Sequence, residues 1–141
     1  MRVRELMTTA VKTVRPWTAV LEARRLLQSE RIRHLLVTSA EGYVQGIVTD
    51  RDIRGCLPPS EASASSAELE ALLGEIPVEK VMSRSVITIG PEADAAAAAR
   101  LMLEHKIGAV PVVHQSRPIG IVTETDFVRA FALSARAADA R

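Results

Sequence analysis

Apolar and polar positions along the chain follow two periods, and they follow them in the same order twice. Val11-Lys12-Thr13-Val14 and Val86-Ile87-Thr88-Ile89 are short β-branched runs ended by Pro16 and Pro91, which predicts two brief strands. A helical stripe follows each. Ala95, Ala98, Leu101 and Met102 fall on one face, with Asp94 placed to cap it, and Ala19, Ala23, Leu26 and Leu27 form the matching stripe after Thr18, a shifted cap candidate. Two strands come next in each half, Leu35 to Thr38 and Tyr43 to Val48 around the turn Glu41-Gly42, then Val110 to Val113 and Ile119 to Val122. A closing helix starts at Thr49 and again at Thr123. The unit is β-α-β-β-α, and the chain carries two of them.

Direct alignment supports the duplication. Val3–Ile53 set beside Val78–Phe127, with one deletion near Gly42, gives 15 identities in 50 aligned positions. The densest block is Gly46-Ile47-Val48-Thr49-x-x-Asp52 against Gly120-Ile121-Val122-Thr123-x-x-Asp126. The organisation expected is a first repeat over 1–57, a connection over 58–77, and a second repeat with a C-terminal helix over 78–141. Within the connection, Pro58-Pro59 ends the preceding helix and Ser60 to Ser66 is small and polar, hence loop. Ser65-x-x-Glu68 then reads as a capping box for a short helix closed by Gly74.

Composition narrows the class. The 141 residues are 48% hydrophobic and 25% charged, the balance of an ordinary globular protein, and no run approaches the length of a membrane span. The N-terminal residues lack the apolar stretch of a signal peptide, and a single cysteine, Cys56, suits a reducing cytoplasm. The net charge of +1 and four aromatic residues argue against a dedicated nucleic-acid binder. That +1 is a cancellation: residues 1–57 carry +4, 58–77 carry −4 and 78–141 carry +1.

Catalytic chemistry finds little support. His34, His105 and His114 have no second metal ligand at helical spacing, and Cys56 has no histidine near it in sequence to act as a base. Phosphate-loop, dinucleotide and serine-hydrolase motifs are absent from the sequence. Cys56 reads as a small packed residue. The expectation is a protein that is not an enzyme and needs no metal or cofactor.

The Gly-Ile-Val-Thr-x-x-Asp blocks support two readings. In one, Thr49 and Thr123 cap the helices that follow and Asp52 and Asp126 answer from the third helical position. In the other, the helix N-terminus faces a phosphate, the carboxylate accepts two hydrogen bonds from a ribose diol, and the glycine lets the ligand approach. The motif alone favours capping; its occurrence at the same place in both repeats raises the second reading.

The ordered set of motifs resembles the cystathionine-β-synthase (CBS) domain pair, or Bateman module, over nearly the whole length. The features that carry the resemblance are Val-x-x-hydrophobic-Met at 3–7 and 78–82, hydrophobic-Thr-hydrophobic-x-Pro at 12–16 and 87–91, Ile107-x-x-Val110-Pro111-Val112, and the two Gly-Ile-Val-Thr-x-x-Asp blocks. The resemblance implies an α+β fold of tandem β-α-β-β-α repeats packed sheet to sheet with pseudo-two-fold symmetry. It also implies two clefts for an adenosine-containing ligand: AMP, ADP, ATP or S-adenosylmethionine. By that analogy Asp52 and Asp126 hold ribose hydroxyls, Thr49 and Thr123 meet the phosphate side, and Thr13 and Thr88 line the clefts. Val14, Ile89, Val112 and Ile121 surround the purine.

The repeats also depart from each other. Leu36 stands where the second repeat has Pro111, and Arg33-His34 stand where it has Gly108-Ala109. The resemblance implies phosphate contacts from basic side chains at this place, so Arg33 and His34 are candidates, as is Arg51 beside the helix N-terminus, next to the plainer reading of each as a solvated side chain. Trp17 is expected to pack or to meet another subunit rather than to stack on a base. With no spare length for a catalytic domain, the output of such a sensor passes to an unknown protein target or through its own oligomer, expected to be a homodimer. A ligand-free structural or adaptor dimer is the alternative. Nucleic-acid binding through the basic first repeat is a weaker one.

Overall fold

The computed structural model describes residues 1–57 and 65–139. In chain order the elements are α1 (Val3–Leu6), β1 (Thr13–Val14), α2 (Val20–Glu30), β2 (His34–Thr38), β3 (Val44–Thr49), α3 (Asp50–Gly55), α4 (Ser66–Glu75), a 3-10 turn at Val78–Lys80, α5 (Ala95–His105), β4 (Ala109–His114), β5 (Arg117–Thr123) and α6 (Glu124–Asp139). They fall into two compact units whose borders do not coincide with the repeats. One unit is Lys12–Val86; the other joins Met1–Val11 to Ile87–Arg141.

In the first of these units β1, β2 and β3 form one sheet in that order, β1 parallel to β2 and β2 antiparallel to β3. Its core gathers Val20, Ala23 and Leu27 from α2 with Leu35, Val37 and Val48 from the sheet and Leu73 from α4. Every residue of β2 from Leu35 to Thr38 is buried, as expected of a central strand. Each fully buried aliphatic side chain here contributes about 1.5–3 kcal/mol. The unit built on β4 and β5 repeats the plan with a two-stranded sheet and a smaller core around Val3, Ala98, Val112 and Val122.

The duplication is visible bond by bond. Val14 pairs with Val37, and Ile89 makes the equivalent parallel bridge to Val112. His34 opposes Thr49 as Ala109 opposes Thr123, and both hairpins shift register one residue after the Val37–Gly46 and Val112–Gly120 pairs. The opening arm of each repeat is likewise held in one way. Val3 and Arg4 donate their N–H groups to Ala93 and Pro91, while Val78 and Glu79 donate to Thr18 and Pro16. Thr8 exchanges two backbone bonds with Ile121 (2.9 and 3.0 Å), and Ser83 does the same with Ile47 (2.9 and 3.0 Å). Thus residues 1–11 pack in the unit carrying β4 and β5, and residues 78–86 in the unit carrying β1 to β3.

Local differences from the sequence expectation have local causes. β1 is two residues long rather than four, and the second copy keeps only the bridge at Ile89. Asp94 caps α5 through the Ala96 N–H (3.0 Å), whereas Thr18 does not cap α2: its hydroxyl accepts from the Arg15 N–H (3.0 Å) and Ala19 stands at the cap. Ser65 caps α4 through the Glu68 N–H (3.2 Å), and the helix runs through Gly74 to Glu75. Gly74 has an ordinary helical φ and no left-handed cap forms there; α2 and α5 instead end on Arg31 and Lys106 in the left-handed region. α3 stops at Gly55, ahead of the prolines; Pro58-Pro59 and the loop through Ala64 lie outside the described residues.

Candidate functional site

The Thr-x-x-Asp corners are where strand turns to helix, and they are built differently in the two units. At the end of β3, Thr49 and Asp52 form a complete reciprocal cap. The Asp52 N–H donates to Thr49 Oγ1 (3.1 Å) and the Thr49 N–H donates to Asp52 Oδ2 (2.9 Å). The Asp50 N–H donates to the Arg33 carbonyl (3.2 Å), so two of the first three N–H groups of α3 have protein acceptors.

At the end of β5 the corner is drawn inward. Asp126 is 5% exposed, against a half-buried Asp52. Its Oδ2 accepts from the Thr123 N–H (2.8 Å) and from the Thr123 hydroxyl (3.2 Å). Its Oδ1 accepts from the hydroxyl of Thr8 (3.4 Å) and lies 3.6 Å from Arg129 Nη1. Thr123 therefore points its hydroxyl at the carboxylate, where Thr49 points its own at a backbone N–H. The arm residue Thr8 is the addition that sequence reasoning lacked, because 118 residues separate it from Asp126.

The remaining candidates sort by unit. Arg33 and Arg51 are exposed beside the Thr49 corner and His34 is half-buried at the start of β2, opposite Thr49. Gly108, Ala109 and Thr125 hold the corresponding positions at the Thr123 corner, so the two corners differ in charge. Thr13, exposed, pairs with Leu36 on the neighbouring strand, and Thr88 is exposed next to Ile89. Val14 and Val112 belong to the two cores, and Ile89 packs against the second of them. Ile121 is half-buried and held by Thr8 through the paired backbone bonds. Trp17 is 64% exposed.

The glycines of the motif are filled from the protein itself. A Cβ on Gly46 would lie 2.5 Å from Met82 Sδ, and one on Gly120 the same distance from Met7 Sδ. The space next to each glycine is thus taken by the methionine of the arm packed in that unit.

Thr13 and Val14 also line a cleft of about 530 Å3 between β1 and α2, with Arg15. Sequence reasoning passed over Arg15, a lone charge between Val14 and Pro16. Burial pushes the Cys56 thiol above its ordinary value, and Sγ donates to the Ile53 carbonyl (2.9 Å). Among the described residues no group of three or more His, Cys, Asp or Glu side chains is placed to hold a metal ion, and no helix is long and apolar enough to cross a membrane.

Two copies of one strand–helix–hairpin–helix unit, each with a Thr-x-x-Asp corner and an arm from elsewhere in the chain, define a tandem α+β domain pair. The chain belongs to the CBS domain family, whose model matches residues 3–58 and again 78–133. A CBS domain-containing protein, YhcV of Bacillus subtilis, is 32% identical over 124 residues, covering 88% of this chain and 81% of its own. The CBS domain pair of protein MJ0100, solved with 5′-methylthioadenosine and S-adenosyl-L-methionine, superposes with a TM-score of 0.81 at 27% identity over 95% of this chain and 98% of that one. CBSX2, solved with AMP, superposes at 0.76 and 29% identity over 96% and 98%. Other curated relatives are longer: the chain spans 42% of a 33.4 kDa protein from Thermofilum pendens and 31% of one from Methanocaldococcus jannaschii.

Proposed function

We propose that this chain is a regulatory binding module for an adenosine-containing ligand (AMP, ADP, ATP or S-adenosylmethionine). The observation that carries the reading is the pair of Thr-x-x-Asp corners in a chain whose structural neighbours were solved with AMP and with S-adenosyl-L-methionine. Asp52 and Asp126 would accept the ribose hydroxyls. Asp52 has lone pairs for two such bonds beyond its cap, whereas Asp126, already accepting from Thr123 twice and from Thr8, would have to give up the Thr8 hydroxyl to accept both. Thr49 and Thr123 would lie on the phosphate side, and Thr13 and Thr88 beside the ligand. Arg33, His34 and Arg51 would give the Thr49 corner a preference for the more highly charged ligands. Val14, Ile89, Val112 and Ile121 are the apolar residues assigned to the purine.

The protein acts without chemistry of its own in this reading, in the cytoplasm, passing ligand occupancy to a protein target or through a homodimer. Val128 and Phe131, one turn apart on α6 and 69% and 78% exposed, and the exposed Trp17 are the apolar groups a second copy would cover. A ligand-free adaptor is the second reading, favoured by the complete Thr49–Asp52 cap, which already gives both side chains a partner.

Calorimetric titration with AMP, ADP, ATP and S-adenosylmethionine, on protein freed of carried-over nucleotide, separates the two. Binding that weakens in Asp52→Ala or Asp126→Ala is the expected result. No heat with any of the four in folded protein overturns the sensor reading. Binding indifferent to both substitutions overturns the residue assignment.

A further inference from the structure

The cleft between β1 and α2 lies in the unit of Lys12–Val86, and four of its polar lining groups are peculiar to the first repeat. Arg15, Thr18, Glu22 and Ser29 line it; the aligned positions of the second repeat are Gly90, Ala93, Ala97 and Glu104. The duplication therefore supplies an internal control: the surrounding scaffold is shared and this set of polar groups is not.

Arg15 is the centre of the cleft's chemistry. It is half-buried, and its Nη1 donates to the buried Thr38 hydroxyl (2.5 Å) and to the Ser39 carbonyl (2.9 Å). A guanidinium has five N–H donors, and those two bonds use only the pair on Nη1. The Nε and Nη2 donors have no hydrogen-bond acceptor among the described residues. That remaining side is the fork that meets a carboxylate or phosphate with two parallel bonds. Pinning Nη1 removes rotamer freedom before any ligand arrives, so little is lost on binding. Arg25 lines the same cleft, and its only ion pair among the described residues is a solvent-exposed one to Glu70 at 3.6 Å, a contact of small worth that an anion can replace.

The other groups define the ligand further. Thr13 is an exposed hydroxyl that can donate or accept, Ser29 already donates to the Leu26 carbonyl (3.2 Å) and can accept, and Thr18 already accepts from the Arg15 N–H. Glu22 repels a second anionic end and would accept from a hydroxyl or amine. A volume of about 530 Å3 is that of a small-molecule site. We propose that this cleft binds a small oxyanion, a carboxylate or phosphate monoanion-bearing metabolite with a hydrogen-bond donor at its other end, held by the fork of Arg15. The cleft shares Thr13 and Val14 with the adenosine-ligand reading but neither Asp52 nor Asp126, so its anion contacts do not depend on the ribose contacts proposed above.

Titration of 15N-labelled protein with inorganic phosphate and, separately, acetate tests it at constant ionic strength. The expected result is a saturable shift of the Arg15 Nε–H signal and of the Thr13 and Thr18 amides, with Gly90 and Arg100 unmoved. Saturation by phosphate or acetate distinguishes the two oxyanion sources. Arg15→Lys, which keeps the charge and loses the fork, should abolish saturation, and Arg25→Gln should weaken binding several-fold. Asp52→Ala should leave the response intact. Should Arg15→Lys fail to fold, the wild-type Nε–H signal and Arg25→Gln decide. Shifts that stay linear, that chloride reproduces, or that persist unchanged in a folded Arg15→Lys protein overturn the proposal.

Discussion

Gly46 in β3 has no room for a side chain because Met82 occupies it. A Cβ there would meet Met82 Sδ at 2.5 Å and the Ser83 carbonyl at 2.9 Å, and Gly120 meets Met7 Sδ at 2.5 Å and the Thr8 carbonyl at 3.1 Å in the same way. The methionine of one motif and the glycine of another are thus two halves of a single packing contact. A thioether tail can move aside, but the carbonyls belong to paired backbone and cannot. Gly46→Ala and Gly120→Ala should each destabilise the protein by about 1–3 kcal/mol in urea denaturation. Met82→Ala should relieve Gly46→Ala only in part, leaving a coupling well above the additive error of about 0.5 kcal/mol. A Gly46→Ala protein as stable as the parent would contradict this packing.

The two aspartates of the corners carry different structural duties. Asp126 is buried and accepts from Thr123 twice and from Thr8, whereas both hydrogen bonds of Asp52 are to Thr49. Asp126→Ala leaves the half-buried Thr123 N–H and two hydroxyls to find other acceptors, at about 1–3 kcal/mol for the N–H alone. Asp52→Ala keeps the Thr49 hydroxyl on the helix and should cost about 1 kcal/mol or less. Thr8→Val should lose about 0.5–1.5 kcal/mol, and Thr8→Ser should restore it. Equal losses for the two aspartates would show that burial does not distinguish the corners.

How much of this was legible beforehand follows from how local each feature is. β2 to β5 and the helices α2 and α5 stand within a residue or two of where period and β-branching place them, since each buries one face along contiguous sequence. α1 was not legible: its four residues are tied to Pro91 and Ala93 through backbone bonds that no side-chain pattern announces. Where the arms pack was not legible for the same reason. Sequence adjacency joins Met1–Val11 to the first repeat, but the backbone pairing of Thr8 is with Ile121. At the candidate site, Thr-x-x-Asp was readable as a cap because its bonds span three residues. Thr8 on Asp126 was not, and neither was the pinning of Arg15 by Thr38 and Ser39.

Burial separates two leucines that composition treats alike. Leu35, at the centre of the three-stranded sheet, is fully buried in the core of its unit, while Leu103 on α5 is 78% exposed. Leu35→Ala removes three carbons from a packed site and should cost about 2–5 kcal/mol. Leu103→Ala should change stability by no more than about 0.5 kcal/mol. Thermal denaturation of both variants beside the parent checks the assignment, and a large loss for Leu103→Ala would mean that this face of α5 is covered in solution.

Cys56 carries the one pH dependence whose sign the structure fixes at a reactive group. Burial raises its thiol above the ordinary value, against the smaller lowering effect of a backbone hydrogen bond. A raised folded value means the unfolded thiol ionises first as pH climbs. The stability this group contributes is therefore fully present below the unfolded value, about 8.5, and is lost as pH rises through the folded one. Unfolding free energy should fall between about pH 7 and about pH 10 by more in the parent than in Cys56→Ser. Because the thiolate is the nucleophile, iodoacetamide should label the folded protein more slowly than the urea-unfolded chain at the same pH. Equal labelling rates in the two states would show that the Cys56 environment does not hold the proton.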